Sequence, residues 1–352
     1  MTKTALLKTC FEMMHFSGAA QILRPFFAGE GAIFCLHHVR PGGGLQRWFA
    51  PNSKLEITPE FLSQIIELCQ QRGYELLSLT AAVERLKSGA KQRQPFAVFT
   101  LDDGYKDNLV HALPVFRRFN CPFTVFVSAR IADGTCELWW RALEALIAES
   151  NSLEVEIDGH AYRFETREDS QKRVAWNKLS PVLQALPEYE QRQWIRKVCS
   201  EHGIDVDAMC RAAAMTWDEI RSMNRDPLAT IGAHTLNHYN VAKLDATDAR
   251  REIVESGRRI AEELGEPTLH FAYPYGNTDA AMSRDFSLCA DAGYMSSVTT
   301  RLGVVFPAHA QHLQALPRIM VSGRFQKARY IDALISGMPS AMTNRFRRVN
   351  VA

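Results

Sequence analysis

Asp102 and Asp103 stand side by side in the stretch Val98-Phe-Thr-Leu-Asp-Asp-Gly-Tyr-Lys-Asp107, and far downstream His234 and His238 stand four residues apart. Two imidazoles and one carboxylate make a three-ligand set for a divalent metal of the zinc or late-transition type, with positions left open for water and substrate. The other aspartate is then available as a base for the metal-bound water. Each half of this set is ambiguous by itself. An Asp-Asp-Gly after a short apolar run also reads as an acidic turn capping the next helix, and a lone HxxxH arises by chance on exposed helices. Both, however, follow strand-like runs, Val98–Leu101 and Ala229–Gly232. In an α/β sheet, residues at the carboxyl ends of strands project into a shared crevice. Adjacent residues on an extended strand point to opposite faces, so the two aspartates can act together only where the strand relaxes, and Gly104 permits that. For His234 and His238, one helical turn is predicted to put both rings on one face.

The elements around these residues read as alternating strands and helices, which predicts parallel βα units. Gly31–Leu36 is a strand ending on His37 and His38, followed by a loop at Pro41–Gly44. Thr58-Pro59 opens a helix with an N-cap threonine and a first-turn proline. Tyr74–Leu79 reads as the next strand, and Thr80 as the cap of a helix closed by Gly89. Asn108–Phe119 is a helix with a proline near its start, and Phe123–Val127 a β-branched, aromatic strand. From about residue 135 the rhythm breaks into a helical stretch led by Leu138-Trp139-Trp140, a hairpin turning at Asp158-Gly159, and charged helices to about 213. Residues 135–214 are therefore read as a mainly helical insertion forming a wall or lid. Regular βα order resumes at Thr216, with a long helix over 245–264, strands at Leu269–Tyr273, Ser297–Thr300 and Leu316–Val321, and a basic tail over 326–352.

Composition bounds the class. The chain has 352 residues, 46% hydrophobic and 23% charged, with a formal net charge of +2. That is enough chain for one large α/β domain and too little charge to argue for nucleic acid. Eight cysteines lie scattered without a CxxC pair, which fits small buried hydrophobes in a reducing compartment. In residues 1–30, Leu6, Leu7, Cys10, Phe11, Met14, Ile22, Leu23, Phe26 and Phe27 recur near helical spacing. Such a stripe packs on a domain, or lies on a membrane surface with Lys3, Lys8 and Arg24 toward anionic head groups. Lys8, Glu12 and His15 interrupt any secretory core, and no uncharged apolar window is long enough to span a bilayer. A cytoplasmic protein, peripheral at the inner membrane face, is the expectation.

On these residues the chain resembles the polysaccharide deacetylase family, the NodB-homology carbohydrate esterases. The family's TFDDG motif stands here as Thr100-Leu-Asp-Asp-Gly104, and its H-S/T-x-x-H motif as His234-Thr-Leu-Asn-His238. The resemblance covers most of residues 31–322 outside the insertion. It implies a distorted (β/α) barrel of parallel strands, made of 31–134 and 215–325, with the active site at the strands' carboxyl ends. It further implies Asp102 as general base, Asp103, His234 and His238 as ligands of a divalent metal, first of all Zn2+, and Thr235 as a hydrogen-bonding buttress. Ala272-Tyr-Pro-Tyr275 matches the R-x-P-Y motif in part, so that the Tyr275 backbone N–H would serve the oxyanion. Two departures stand out. The motif's arginine is Ala272, and the late L-x-x-H histidine is absent, Leu316-Pro-Arg-Ile319 taking its place. A subgroup with a Y-H-x-V segment, matched by Leu36-His-His-Val39, shares both departures. His37 is accordingly nominated as protein-side acid or substrate contact, against a satisfied strand-end histidine, and Arg318 as an oxyanion or phosphate partner. Asp291-Ala-Gly-Tyr294 resembles the acetyl-methyl pocket motif, against a helix end with a core tyrosine. The implied reaction is metal-dependent removal of an N-acetyl group from an amino sugar in a polysaccharide or lipid-linked precursor. The alternatives are an O-deacetylase, a sugar-amide deformylase, or a carbohydrate-binding protein that has lost turnover.

Overall fold

In the computed structural model, which describes residues 3–42, 49–89 and 94–351, the apolar runs become seven parallel strands. These are β1 (Gly31–Leu36), β2 (Phe96–Leu101), β3 (Phe123–Val127), β4 (Ala229–Ala233), β5 (His270–Ala272), β6 (Ser296–Leu302) and β7 (Leu316–Met320). They hydrogen-bond in the order β1-β7-β6-β5-β4-β3-β2, and β2 pairs back to β1, so the sheet closes into a barrel. The longest registers run Gly31 opposite Phe96 to Leu36 opposite Leu101, and Phe123 opposite Ala229 to Val127 opposite Ala233. Because every strand is parallel, all seven carboxyl ends open on one face.

Strand alternation sorts the side chains into two layers. Phe34, Phe99, Leu101 and Val125 pack outward on the surrounding helices in the largest core cluster. Ile33, Val98, Phe126, Val298 and Leu316, contributed from around the ring, fill the barrel interior. The same alternation carries β2 from Phe96 and Val98 through Thr100 to Asp102, which therefore surfaces at the barrel mouth.

Several local expectations change. Only Glu75–Leu76 of the predicted Tyr74–Leu79 strand pairs, along the lower part of β2. The following helix, Leu79–Ser88, is capped by Ser78, whose extended backbone lets its oxygen accept the Ala81 N–H, and not by Thr80. The predicted helix at 108–119 begins as a wider turn over Asn108–Ala112 before the α-helix Leu113–Arg118. There the Leu113 N–H reaches back five residues to Asn108, next to Pro114, which has no N–H to give.

Residues 135–214 build their own apolar cluster from the helices Trp139–Glu149, Asp169–Ala185 and Glu188–Glu201 and the hairpin Ser152–Ile157/His160–Glu165. The hairpin turns through left-handed Asp158 and Gly159 (φ 50° and 72°). Helices Lys3–Phe16 and Ala19–Phe27 dock on Ala328–Ile335, so the basic tail is partly core: Tyr330, Ile331 and Ile335 are buried. Asp332 holds Arg24 and Arg72, at 2.8 and 2.6 Å, and Glu12 holds Arg329 and Tyr330. Leu6, Met13, Phe16, Ile22 and Phe26 remain exposed. No helix among the described residues is long and apolar enough to cross a membrane. Gly43, Gly44 and the Lys3 side chain lie outside the described residues. Of the eight cysteines, seven are buried free thiols and Cys10 is exposed.

Candidate active site

β2 stays in register through Asp102, whose N–H bonds the Leu36 carbonyl at 2.9 Å. The chain then turns at Asp103 itself (φ 75°) and Gly104 (φ 72°), so the break that separates the two carboxylates falls one residue earlier than the glycine alone suggests. A non-glycine residue held left-handed costs on the order of 1 kcal/mol or more and marks a constrained site. The same device recurs at the mouths of β4 and β5, where Thr235, His238 and Tyr275 have φ of 58°, 56° and 63°. His234 and His238 are thus brought together by a left-handed loop, not by the predicted helical turn.

That loop is fastened from three sides. Glu252, buried on the helix Ala246–Leu264, accepts the Asn237 N–H at 2.8 Å and its side-chain amide. The Leu236 carbonyl accepts from the Arg130 N–H and the Ser128 hydroxyl. Arg192, from the insertion, donates to the His238 carbonyl at 3.0 Å. Thr235, expected as the buttress, has a buried hydroxyl with no hydrogen-bond partner among the described residues.

The ring of His234 donates from Nδ1 to the Ala272 carbonyl at 2.7 Å, which leaves Nε2 as a lone pair in the neutral ring. That Nε2 faces Asp103 Oδ1 at 3.4 Å, and His238 Nε2 faces the same oxygen at 3.0 Å. All three ligand atoms lie within 4.8 Å of one another and are buried. The His234 lone pair faces a buried carboxylate oxygen that accepts no hydrogen bond among the described residues, and the two repel unless a cation or a proton lies between them. The donor set and its orphaned oxygen therefore fit a divalent metal of the zinc type. Burial works to raise the Asp103 pKa, and His238 and His234 more than reverse it, holding the acid well below the ordinary range.

Asp102 lies in a different environment. Arg318, on β7 inside the barrel and 0% exposed, grips it in a fork: Nη1 to Oδ1 and Nη2 to Oδ2, both at 2.7 Å. Two further donors of Arg318 go to the Thr299 carbonyl (2.8 Å) and the Thr100 hydroxyl (3.0 Å). Burial pushes the Asp102 pKa up and Arg318 overrides it, leaving the carboxylate lowered and ionised. This overturns the expectation that Arg318 meets an oxyanion or phosphate, because the guanidinium has its partners beneath the site. It also answers the missing arginine at Ala272: an arginine reaches Asp102 from β7 instead of β5. A second compact trio, Cys35, His37 and Asp102, is no metal site by the same logic. Its carboxylate already carries a cation on both oxygens, and burial holds the Cys35 thiol protonated.

His37, at the end of β1, faces the pocket with a buried Nδ1 that has no hydrogen-bond partner among the described residues, and burial lowers its pKa despite the two aspartates. Tyr275 follows Pro274, and its hydroxyl accepts from Trp139 Nε1 at 2.8 Å. Tyr294 is not at the site. It packs in the main core with its hydroxyl on the Ile253 carbonyl at 2.9 Å, the alternative left open by the sequence.

The two aspartates, three histidines and Tyr275 line one pocket of about 330 Å³. The insertion supplies much of its wall through Trp139, Trp140, Trp176, Ser180 and Gln184, with the Trp140 ring 4.9 Å from His238. The sequence reading expected a wall from the insertion but named none of these residues, nor Arg192 and Glu252, as part of the site. A Trp-Trp pair where the βα rhythm breaks was one available signal. An arginine inside the apolar strand Leu316–Met320 was another, since a buried guanidinium requires a buried acid.

Comparison with known proteins places the chain in a family. The model of the polysaccharide deacetylase family matches residues 89–197 and 208–295, more than half of the chain. No curated protein sequence matches. Solved structures that resemble the chain include IcaB from Ammonifex degensii, at 18% identity and TM-score 0.55, covering 88% of this chain and 97% of that one. The Streptococcus pyogenes deacetylase PplD, solved in complex with acetate, matches at 16% identity and TM-score 0.54 over 83% and 92% of the two chains. The BpsB deacetylase domain from Bordetella bronchiseptica matches at 15% identity and TM-score 0.50 over 82% and 95%. At such identities the solved structures establish the shared barrel, and the family model, spanning both the Asp-Asp-Gly turn and the histidine loop, establishes the kinship: this chain belongs to the polysaccharide deacetylase family.

Proposed function

We propose that this protein is a metal-dependent hydrolase that removes an N-acetyl group from an amino sugar in a polysaccharide or in a lipid-linked glycan precursor. The observation that carries the reading is the division of labour between adjacent aspartates, one facing two histidines and the other held by a fully buried arginine. A divalent ion, Zn2+ first among candidates, would be held by Asp103, His234 and His238, and when bound it supplies Lewis acidity and a more acidic water. Asp102 takes the proton of the attacking water. Its Oδ1, bonded only to Arg318, keeps a lone pair for that proton, whereas Oδ2 also faces the Cys35 thiol. Arg318 keeps the carboxylate ionised and oriented. The Tyr275 N–H donates to the carbonyl oxygen as it gains charge. His37, on the opposite side of the pocket's carboxylates from the histidine loop, is assigned to the leaving amine. Trp176, partly exposed, offers an apolar ring face to the sugar, and the buried Trp139 and Trp140 line the pocket and exclude water.

The exposed Leu6, Met13, Phe16, Ile22 and Phe26 support a peripheral position on a membrane, here assigned to the inner, cytoplasmic face, where lipid-linked precursors would be met. The test is metal analysis of natively purified protein together with acetate release from N-acetylated oligosaccharides. One bound divalent ion per chain is expected, with acetate release falling by about 10²- to 10⁴-fold in Asp102→Asn while the metal is retained. Protein without metal that frees no acetate from any acetylated glycan sinks the reading.

A further inference from the structure

Two turns meet at the pocket rim, Pro51–Leu55 and Gly323–Phe325. A Cβ on Gly323 would lie 2.3 Å from the Ser53 carbonyl oxygen and 2.1 Å from that of Glu56, so this approach requires glycine. Gln326 bolts the turns together, accepting the Thr58 N–H at 2.9 Å and donating to the Gly323 carbonyl at 3.2 Å. The consequence is that Lys54 and Arg324, both exposed, are held as neighbours. Neither side chain has an ion pair or hydrogen bond among the described residues. Lys54 lines the same pocket as Asp102, Asp103 and the histidines. Partial desolvation and the Arg324 charge both pull the Lys54 pKa down, the response of an ammonium that lacks a counter-ion. On the far side of the turn, Phe325 packs on Phe11 and lies under Lys8 of the N-terminal helix, at 6.0 and 5.8 Å. The cation pair thus stands between the catalytic pocket and the helix whose apolar residues are exposed.

We propose that Lys54 and Arg324 bind the phosphate of the substrate, so that the enzyme acts on an amino sugar carried on a phosphate or diphosphate. This deepens the deacetylase reading and rests on it. Two cations on a braced rim recognise phosphate oxygens by charge-assisted hydrogen bonds. The apolar helix beyond receives the chain attached to that phosphate.

The experiment compares three substrates with the full chain: N-acetylglucosamine linked through diphosphate to a short prenyl chain, the same sugar linked through diphosphate to uridine, and a neutral N-acetylglucosamine oligomer. In the double variant Lys54→Gln/Arg324→Gln, the ratio of kcat/KM for diphosphate-linked over neutral substrate is expected to fall by about tenfold or more, mostly in KM. A prenyl form preferred over the uridine form assigns the phosphate to a lipid carrier, and the reverse assigns it to a soluble nucleotide sugar. Equal loss on all substrates, or no change in the ratio, overturns the proposal. Calorimetric titration with inorganic pyrophosphate reads the site without turnover: wild type is expected to bind and the double variant to bind at least several-fold more weakly. If wild type deacetylates nothing yet binds pyrophosphate through these residues, the catalytic reading fails and the anion site stands. If it deacetylates only the neutral oligomer and ignores pyrophosphate, the anion site fails alone.

Discussion

Asp102 is 2% exposed, and a carboxylate buried to that degree without a partner would be protonated and useless as a base at neutral pH. Arg318 prevents this from inside the barrel, where its neighbours are Thr100, Thr299 and the Phe126 ring. Removing one partner of such a pair strands the other charge. Arg318→Met is therefore expected to lower unfolding stability by about 3–5 kcal/mol in urea titrations, and to reduce acetate release in whatever protein remains folded. Arg318→Lys keeps the charge but not the fork and should lose less stability than Arg318→Met while still impairing turnover. Equal stability of wild type and Arg318→Met would show that the pair contributes nothing to folding. The carboxylates and histidines of the site were legible from their types and spacing. The job of Arg318 was not, because it depends on which residue of β2 faces the same interior as which residue of β7.

β5 shows how an element away from the chemistry depends on pH. His270 is fully buried between the Thr80 and Ser296 hydroxyls, each at 2.9 Å from a ring nitrogen. Burial above all, and then Lys87, lowers its pKa from 6.5 to about 4. The folded protein keeps this histidine neutral while the unfolded chain protonates it, so between pH 6.5 and 4 the unfolded state binds more protons. Stability is then level above about pH 6.5 and falls as pH drops toward 4, by roughly 3 kcal/mol in total. Denaturant midpoints at pH 7, 5 and 4 should show this fall in wild type and a smaller one in His270→Gln; parallel curves would remove His270 as the cause. At this scale strands and caps were largely readable from β-branched runs and from Thr58 and Thr216. The loop geometry was not. Left-handed Asp103, Thr235, His238 and Tyr275 are imposed by contacts such as Glu252 with Asn237 and Arg192 with the His238 carbonyl, which no local propensity encodes.

Across the molecule, the closed barrel fixes the chemistry, the insertion walls the pocket, and the two N-terminal helices turn an apolar face outward. Buried aromatic and aliphatic side chains contribute about 1.5–3 kcal/mol each on leaving water. Phe16→Ser combined with Ile22→Ser is thus expected to weaken co-sedimentation with anionic phospholipid vesicles by roughly tenfold or more. Acetate release from a soluble oligosaccharide should be retained, since neither residue lies near the pocket. Unchanged vesicle binding would assign that face to something other than a membrane.

The sequence by itself determined the cluster of Asp102, Asp103, His234 and His238, the alternation of strands and helices, and the break at about residue 135, because these follow from residue chemistry and local periodicity. The family resemblance rested on the same two short motifs. Only the tertiary structure decided that Arg318 serves Asp102, that Tyr294 belongs to the core, that tryptophans of the insertion wall the pocket, and that the turn carrying Lys54 meets the turn carrying Arg324. Each of these pairings joins segments far apart in the chain. Closure of β1 on both β2 and β7 brings Arg318 under Asp102, and a glycine-tight approach of two distant turns brings the cations together. Period and propensity act over a few residues, whereas these contacts are set by where the closed barrel leaves room.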